Sequence, residues 1–374
     1  MYIFQLGRDA DISTLEIIRV LQSLTGEMPE IARYDNYLLL LDDIELDCAN
    51  LLNQLAGTIK LASIFYTSEI VDSRFIDLLE FYYPKNFEIF VNSENVEVGK
   101  QVVGLLNDFK KQIKTRGSIT FADNSKIKPF GGEYESQKDR VCEVIILKNN
   151  NSYHFAKVEA YADNSEFKFK DEARPVQKFT HGTSPRLAKM MVNILALEPG
   201  EVLVDPFCGI GTFLIEGMIA GLSVIGIDND SGVVSSAKNN VAWARKAFGL
   251  KGQCKIILGD STIEAYKADG CVFEPYMGPF MKKLPSYAEA SKVKDYLEKL
   301  YAATFNNLSH SLSEYGEVVC IIPYFKTNDG NFVRINTSVF TDFGFEAELD
   351  PIEYNTPEGS KIQRQLWLIQ KQGV

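Results

Sequence analysis

Four acidic residues stand where short apolar runs end. Asp205 follows Val202-Leu203-Val204, Asp228 follows Ser223 to Ile227, Asp260 follows Lys255 to Leu258 and Gly259, and Glu274 follows Gly270 to Phe273. Runs of this kind read as buried parallel strands. Between the first two acids lies Phe207-Cys208-Gly209-Ile210-Gly211-Thr212. Gly209 and Gly211 permit a tight turn with close backbone approach, and Thr212 can cap a helix from Phe213 to Ala220 that Gly221 stops. Carboxylates at neighbouring strand tips suit a ligand with an ammonium group and a ribose. A phosphate ligand would prefer a third glycine or a Gly-Lys pair and no acid in the loop. The ligand these residues imply is S-adenosylmethionine. A lone GxG serves a bare turn as readily, and any single acid could simply cap a helix. The reading therefore rests on acids recurring at successive strand ends.

The elements that must position these residues follow an alternating pattern. Ser184-Pro185 starts a helix with Ser as cap and Pro in its first turn, and Leu187, Met190, Met191 and Ile194 keep helical spacing. Helices are expected from Ser231 to Phe248, from Ala288 to Leu312 and around Val333 to Phe343, with a strand from Glu317 to Pro323. The last two strands, Phe345 to Asp350 and Gln365 to Gln370, leave no room for a helix between them and are expected to pair antiparallel. In an open α/β sheet, ligands bind at the edge where the parallel strands end, which is the edge that collects the acids.

Upstream, residues 1–70 read as β-α-β-β-α-β, the order of a ferredoxin-like sandwich. A strand at Phe87 to Val91, an amphipathic helix at Val98 to Thr115 and a hairpin from Val141 to Ala162 follow. Residues 163–182 are polar and mixed in charge, which reads as a linker. The expected divisions are therefore 1–71, 72–163, a linker at 164–182, and 183–374.

A chain of 374 residues suggests two or three domains, and its 45% hydrophobic and 24% charged residues are typical of a soluble globular protein. No apolar run approaches the ~20 residues that cross a bilayer, and the N-terminus lacks the pattern of a signal peptide. Six scattered cysteines without a CxxC pair indicate neither a disulfide framework nor a metal site. His154, His181 and His310 have no triad or metal spacing, and Cys208 reads as a small buried filler. A reduced, cytoplasmic setting is expected. The net charge of −11 argues against wholesale electrostatic binding to nucleic acid. Its distribution is uneven: residues 1–84 carry 5 Lys/Arg against 14 Asp/Glu, whereas residues 100–128 hold seven basic and two acidic side chains. Lys110, Lys111, Lys114, Arg116, Lys126 and Lys128 are the candidates for gripping phosphates, although a solvated helix face accounts for them equally well.

The set SPRLA, DPFCGIGT, IDND, GD and EPYMGP resembles the class I S-adenosylmethionine-dependent methyltransferases. Among these it is similar to the tRNA guanine-N2 methyltransferases that carry ferredoxin-like and THUMP α+β domains before a Rossmann-like, seven-stranded catalytic sheet with antiparallel last strands. The likeness extends over nearly the whole chain. It implies that Asp205, Gly209 and Gly211 surround the methionine part of the cofactor and that Asp228 binds the ribose hydroxyls. Asp260 would accept from the adenine amine with Ser261 beside it, and the helix begun by Ser184 would cover the cofactor tail. Phe207, Thr212 and Asn229 complete the implied cofactor set. No metal is implied. The partner would be tRNA, gripped by the middle domain, and no membrane is involved. Eukaryotic relatives work with a small activator subunit and archaeal-type ones act alone; a monomer is the expected state.

The fourth motif departs from the family form, Asp-Pro-Pro-Tyr. Aligning Pro275-Tyr276 puts Phe273 at the aspartate position and Glu274 at that of the first proline. Glu274, Pro275 and Tyr276 are the catalytic candidates, the acid and a proline carbonyl accepting the N–H bonds of the amine while the ring stacks on the base. Successive residues of a strand point to opposite faces, so the aim of Glu274 is the point for structure to decide. Two other readings stay open: an amino methyltransferase acting on adenine in RNA or DNA, and a tRNA-binding subunit without turnover.

Overall fold

The computed structural model describes residues 1–79, 87–121, 140–177, 182–354 and 360–373. The described residues divide into two compact units, Met1–Ala10 with Glu27–Glu166, and Asp11–Gly26 with Phe167–Val374.

The first unit contains one eight-stranded sheet. In chain order the elements up to its end are β1 (Tyr2–Leu6), α1 (Ala10–Thr25), β2 (Ile31–Tyr34), β3 (Tyr37–Leu40), α2 (Cys48–Gln54), β4 (Thr58–Ser68), α3 (Arg74–Leu78), β5 (Phe87–Ser93), α4 (Val96–Gln112), β6 (Gly117–Phe121), β7 (Val141–Asn149) and β8 (Ser152–Tyr161). The strands run β2-β3-β1-β4-β8-β7-β5-β6. The first four stand in the order of a ferredoxin-like sandwich, with antiparallel neighbours. The sheet continues past the expected boundary at residue 71, because β4 pairs with β8 over most of its length. Val98, Val102 and Leu106 bury one face of α4, and Asn95 caps its start by accepting from the N–H groups of Glu97 (3.0 Å) and Val98 (3.2 Å).

The second unit continues with α5 (Ser165–Ala173), α6 (Pro185–Ile194), β9 (Val202–Asp205), α7 (Thr212–Ile219), β10 (Ser223–Asp228), α8 (Ser231–Phe248), β11 (Cys254–Leu258), β12 (Ala268–Phe273), α9 (Tyr287–Ser311), β13 (Leu312–Lys326), β14 (Phe332–Arg334), α10 (Ser338–Thr341), β15 (Phe345–Ala347), β16 (Ile352–Tyr354) and β17 (Ile362–Lys371). Strand order is β11-β10-β9-β12-β13-β17-β15. The first five are parallel, β17 lies antiparallel to β13, and β15 lies antiparallel to β17 as expected. Every βα crossover returns the chain to the same edge, so β9 to β12 all end there. Behind them, α9 presents Leu297, Tyr301, Phe305 and Leu308 at helical spacing to a core that includes Val204, Phe273, Cys320 and Ile369.

Three expectations give way here. The stretch read as a linker contains α5, whose Lys170 is 2% exposed and ion-paired with the buried Glu216 of α7 at 2.8 Å. Polar composition suggested a solvated segment, but one of its charges, Lys170, is paired inside. The helix expected at Val333 to Phe343 is a strand followed by the short α10. Phe332 to Arg334 pair with Lys326 to Tyr324 across a turn that uses Gly330 at φ +84°. Finally α1, read as part of the N-terminal sandwich, clusters with the second unit. Its Arg19 donates to the Ile194 carbonyl (2.8 Å) and pairs with Glu317, and its buried Glu16 accepts from Asn193 (2.7 Å). A surface helix's long-range partners leave no local trace in sequence.

Candidate active site

Three of the four strand-end acids, Asp228, Asp260 and Glu274, line one cleft of about 920 Å³ in the second unit. Phe207, Gly209, Asp228, Asn229, Asp260, Ser261, Glu274, Pro275 and Tyr276 all line it. Asp205 is fully buried beneath the loop, at 0% exposure. One of its carboxylate oxygens accepts from the Phe207 N–H at 3.0 Å, and the other is buried without a partner among the described residues. Burial pushes its pKa well above the usual carboxylate range, and the neighbouring Asp228 and Glu274 push it the same way.

Asp228 ties the loop to the second strand. Its carboxylate accepts from the N–H groups of Gly209 and Asp230, both at 3.0 Å. Gly209 and Gly211 adopt φ +52° and +86°, conformations that side chains with a Cβ rarely take. Gly211 is the cap residue of α7, so Thr212 is the first helical residue and not the cap. Its hydroxyl accepts from Arg174 at 3.3 Å. Neither Gly211 nor Thr212 lines the cleft. Ser184 also stays outside it and caps α6, accepting from the Leu187 N–H at 3.3 Å. Asp260 folds its own loop, accepting from the Thr262 N–H (2.9 Å) and hydroxyl (2.7 Å). Burial, with Asp205 and Asp228 nearby, pushes the Cys208 thiol pKa up, which disfavours a thiolate there.

The fourth motif takes a definite orientation. Phe273 is 2% exposed and turns into the core, its ring 5.6 Å from that of Phe207 and 6.2 Å from that of Phe305. Alternation along the strand then sends Glu274 into the cleft. One Glu274 oxygen accepts from the Thr183 hydroxyl, and the other lies 3.5 Å from Nε of Arg364 on β17. The Tyr276 carbonyl accepts from the buried Tyr301 hydroxyl at 2.7 Å, which fixes the backbone and leaves the Tyr276 ring 49% exposed. Tyr296 meets that ring edge-on at 6.3 Å.

This loop and sheet arrangement has relatives. Residues 174–328 match the family described as RMKL-like, methyltransferase domain. Over 145 residues the chain is 32% identical to the Methanothermococcus thermolithotrophicus protein named "Probable tRNA (guanine(10)-N2)-dimethyltransferase", a match that covers 36% of this chain and 77% of that one. The chain belongs to the tRNA guanine-N2 methyltransferase family. The tRNA (guanine(10)-N2)-dimethyltransferase of Methanothermobacter thermautotrophicus is 28% identical over 160 residues, 41% of this chain and 44% of its own length. That match therefore spans less than half of the relative. The crystal structure of TrmN from Thermus thermophilus superposes over 99% of both chains with a TM-score of 0.53 at 15% identity, a likeness of fold. The fold is that of the Rossmann-like class I methyltransferases, and the strand order above is what places the acids side by side.

Several cleft residues left little trace in sequence. Ile362 and Arg364 lie on β17 and Lys361 just before it, and β17 is not a hydrogen-bonded neighbour of β12. Tyr296 and Leu300 line the cleft one helical turn apart on α9, a spacing that marks a face without saying what it faces. Buried Asn240 of α8 was also missed. Its amide donates to the Ile210 and Val176 carbonyls (both 3.0 Å) and its oxygen accepts from the Val176 N–H (2.9 Å), clasping the glycine loop from behind.

In the first unit, Lys111, Lys114 and Arg116 lie at or just past the end of α4, and Lys111 and Lys114 are exposed. Lys111 pairs with Asp108 at 2.9 Å, and Lys110 donates to the Gly117 carbonyl at 3.1 Å. The helix ends at Gln112, earlier than expected, so Lys114 lies beyond it in the left-handed region at φ 49°. Lys126 and Lys128 lie outside the described residues.

Proposed function

We propose that this cleft transfers a methyl group from S-adenosylmethionine to the exocyclic N2 amine of a guanosine in tRNA. The observation that carries the reading is the shared cleft: Glu274-Pro275-Tyr276 lines the same cavity as Asp228 and Asp260, and Asp205, at the end of the strand paired with β12, keeps one buried oxygen without a partner among the described residues. The donor set suits S-adenosylmethionine, because that oxygen is a buried acceptor a cationic group would satisfy. Asp205, Gly209 and Phe207 would hold the methionine part, Asp228 and Asn229 the ribose, and Asp260 and Ser261 the adenine. When bound, the cofactor supplies a methyl carbon activated by its sulfonium.

The chain's own residues would act on the nucleophile. An exocyclic amine is weak because its lone pair is delocalised into the ring. The Glu274 carboxylate and the Pro275 carbonyl accept its two N–H bonds, draw the nitrogen toward tetrahedral geometry and aim the lone pair. Tyr276 offers its exposed face to the base, which must leave its stack to enter. Once the nitrogen is alkylated, its surplus proton passes to Glu274. Rate enhancement then comes chiefly from positioning. The first unit, with Lys110, Lys111, Lys114 and Arg116, is proposed as the THUMP-like grip on tRNA. The expectations of a monomer, an optional small activator subunit and a cytoplasmic setting belong to this proposal.

Incubation with labelled S-adenosylmethionine and bulk unmodified tRNA should give methylguanosine on hydrolysis. Glu274→Ala should lower transfer by at least ~100-fold, on the order of losing a transition-state contact, with cofactor affinity unchanged. Methyladenosine as product would select the adenine reading. Tight cofactor binding without transfer to any RNA would select the non-catalytic one.

A further inference from the structure

The reading above places an amine beside Glu274 but leaves open how the rest of the base is recognised. Among the amine-bearing bases, guanine presents a distinct sequence along its pairing edge: O6 accepts, N1–H donates and the 2-amine donates. Adenine and cytosine have a ring acceptor next to their amine. A site that reads guanine therefore needs a donor followed by two acceptors.

That sequence is present in the cleft. Arg364 Nε lies 3.5 Å from the first carboxylate oxygen of Glu274, and the second oxygen is anchored by the Thr183 hydroxyl. Both side chains are cleft-facing and partly shielded, 31% exposed for Arg364 and 12% for Glu274. The terminal nitrogens of Arg364 have no protein partner among the described residues. An ion pair on open surface would be worth little, and a guanidinium serving only to balance Glu274 has no need of free N–H groups facing a cleft. Each carboxylate oxygen can accept more than one hydrogen bond, so neither is exhausted.

We propose that Arg364 is a specificity-determining residue, donating to guanine O6 while Glu274 accepts N1–H and one 2-amine hydrogen. The inference rests on the guanosine N2 reading and names how that base is selected. Arg364, Oε1 and Oε2 of Glu274 then face O6, N1–H and N2–H in order. Adenine would set its own amine against the guanidinium and leave Glu274 opposite a ring nitrogen, an unpaired arrangement that costs far more than a lost contact on open surface.

The test uses a tRNA transcript whose methylated guanosine has been mapped, with that one residue replaced by 2,6-diaminopurine. This base keeps the 2-amine, puts a second amine in place of O6 and lacks N1–H. The wild-type chain should prefer guanosine by at least ~100-fold in kcat/KM. In Arg364→Met that preference should fall by ~10-fold or more, with S-adenosylmethionine affinity and melting temperature retained. Arg364→Gln, which keeps one amide donor, should fall between the two and covers the case of a misfolded Met variant. A preference unchanged in both variants, with both substrates slowed equally, overturns the recognition role and makes Arg364 a support for Glu274 alone. A wild-type chain that transfers nothing to guanosine overturns the proposed function, and this inference with it.

Discussion

Replacing Asp205 by Asn should stabilise the folded chain and weaken cofactor binding together. Asp205 is fully buried, one oxygen has no partner among the described residues, and burial, with Asp228 and Glu274 nearby, raises its pKa. Asn keeps the acceptor for the Phe207 N–H and removes the buried charge. Each unit by which the folded pKa exceeds the unfolded one corresponds to about 1.4 kcal/mol that removing the charge recovers, and in a unit of this size each kcal/mol recovered raises Tm by about 2–4 °C. The sign with pH follows from a folded-state pKa above the ordinary value of 3.8. Below that value both states are protonated and the variant has no advantage. As pH rises toward the elevated folded pKa, the wild-type chain loses stability progressively, and above it the loss is constant. The advantage of the Asp205→Asn variant should therefore grow on raising pH and then level off. Binding runs the other way: losing a charge-assisted partner worth about 1.5–3 kcal/mol lowers affinity by roughly 10–150-fold. Wild-type affinity should also climb with pH as Asp205 ionises, a dependence the variant lacks. Thermal unfolding and calorimetric titration with S-adenosylmethionine across the same pH range measure both. A variant that loses stability at neutral pH, or binds as tightly as wild type, refutes the reasoning.

Two further outcomes are expected. Lys170→Met removes the buried cation that pairs with Glu216, and breaking a buried pair from one side should cost about 3–5 kcal/mol in denaturant unfolding; a change below ~1 kcal/mol would mean that the pair contributes no more than a surface one. Lys111→Ala with Lys114→Ala should weaken tRNA binding and reduce the slope of log affinity against log salt by about one to two, whereas an unaltered slope returns both lysines to a solvated face.

What could be read beforehand is what neighbours in sequence determine. The succession Asp205, Asp228, Asp260 was legible because parallel strands joined by helices must all end at one edge. The antiparallel pairing of β15 with β17 was legible from the lack of space for a helix. Contacts made at long range were not. Nothing near Arg364 announces Glu274, far back along the chain at the end of a strand that β17 does not adjoin. Nothing in the polarity of residues 165–173 distinguishes a linker from a helix whose lysine finds Glu216.

The departure in the fourth motif shows how little geometry stood between these cases. An acid at position 273 would have shared the side of the strand that Phe273 occupies, among Phe207 and Phe305, where an ionised group has no partner. Moving the acid by one residue reverses its face, and glutamate's extra methylene lengthens its reach from the strand end. Thr183 and Arg364 then hold each oxygen in place, a restraint that a longer, more flexible side chain needs if it is to present two acceptors at fixed positions. The same two partners that restrain Glu274 set its oxygens beside a guanidinium, the arrangement from which guanine selection is proposed. The double variant Phe273→Asp with Glu274→Pro should therefore show no methyl transfer to tRNA: its carboxylate would lie in the core, and Arg364 would be left without its anion.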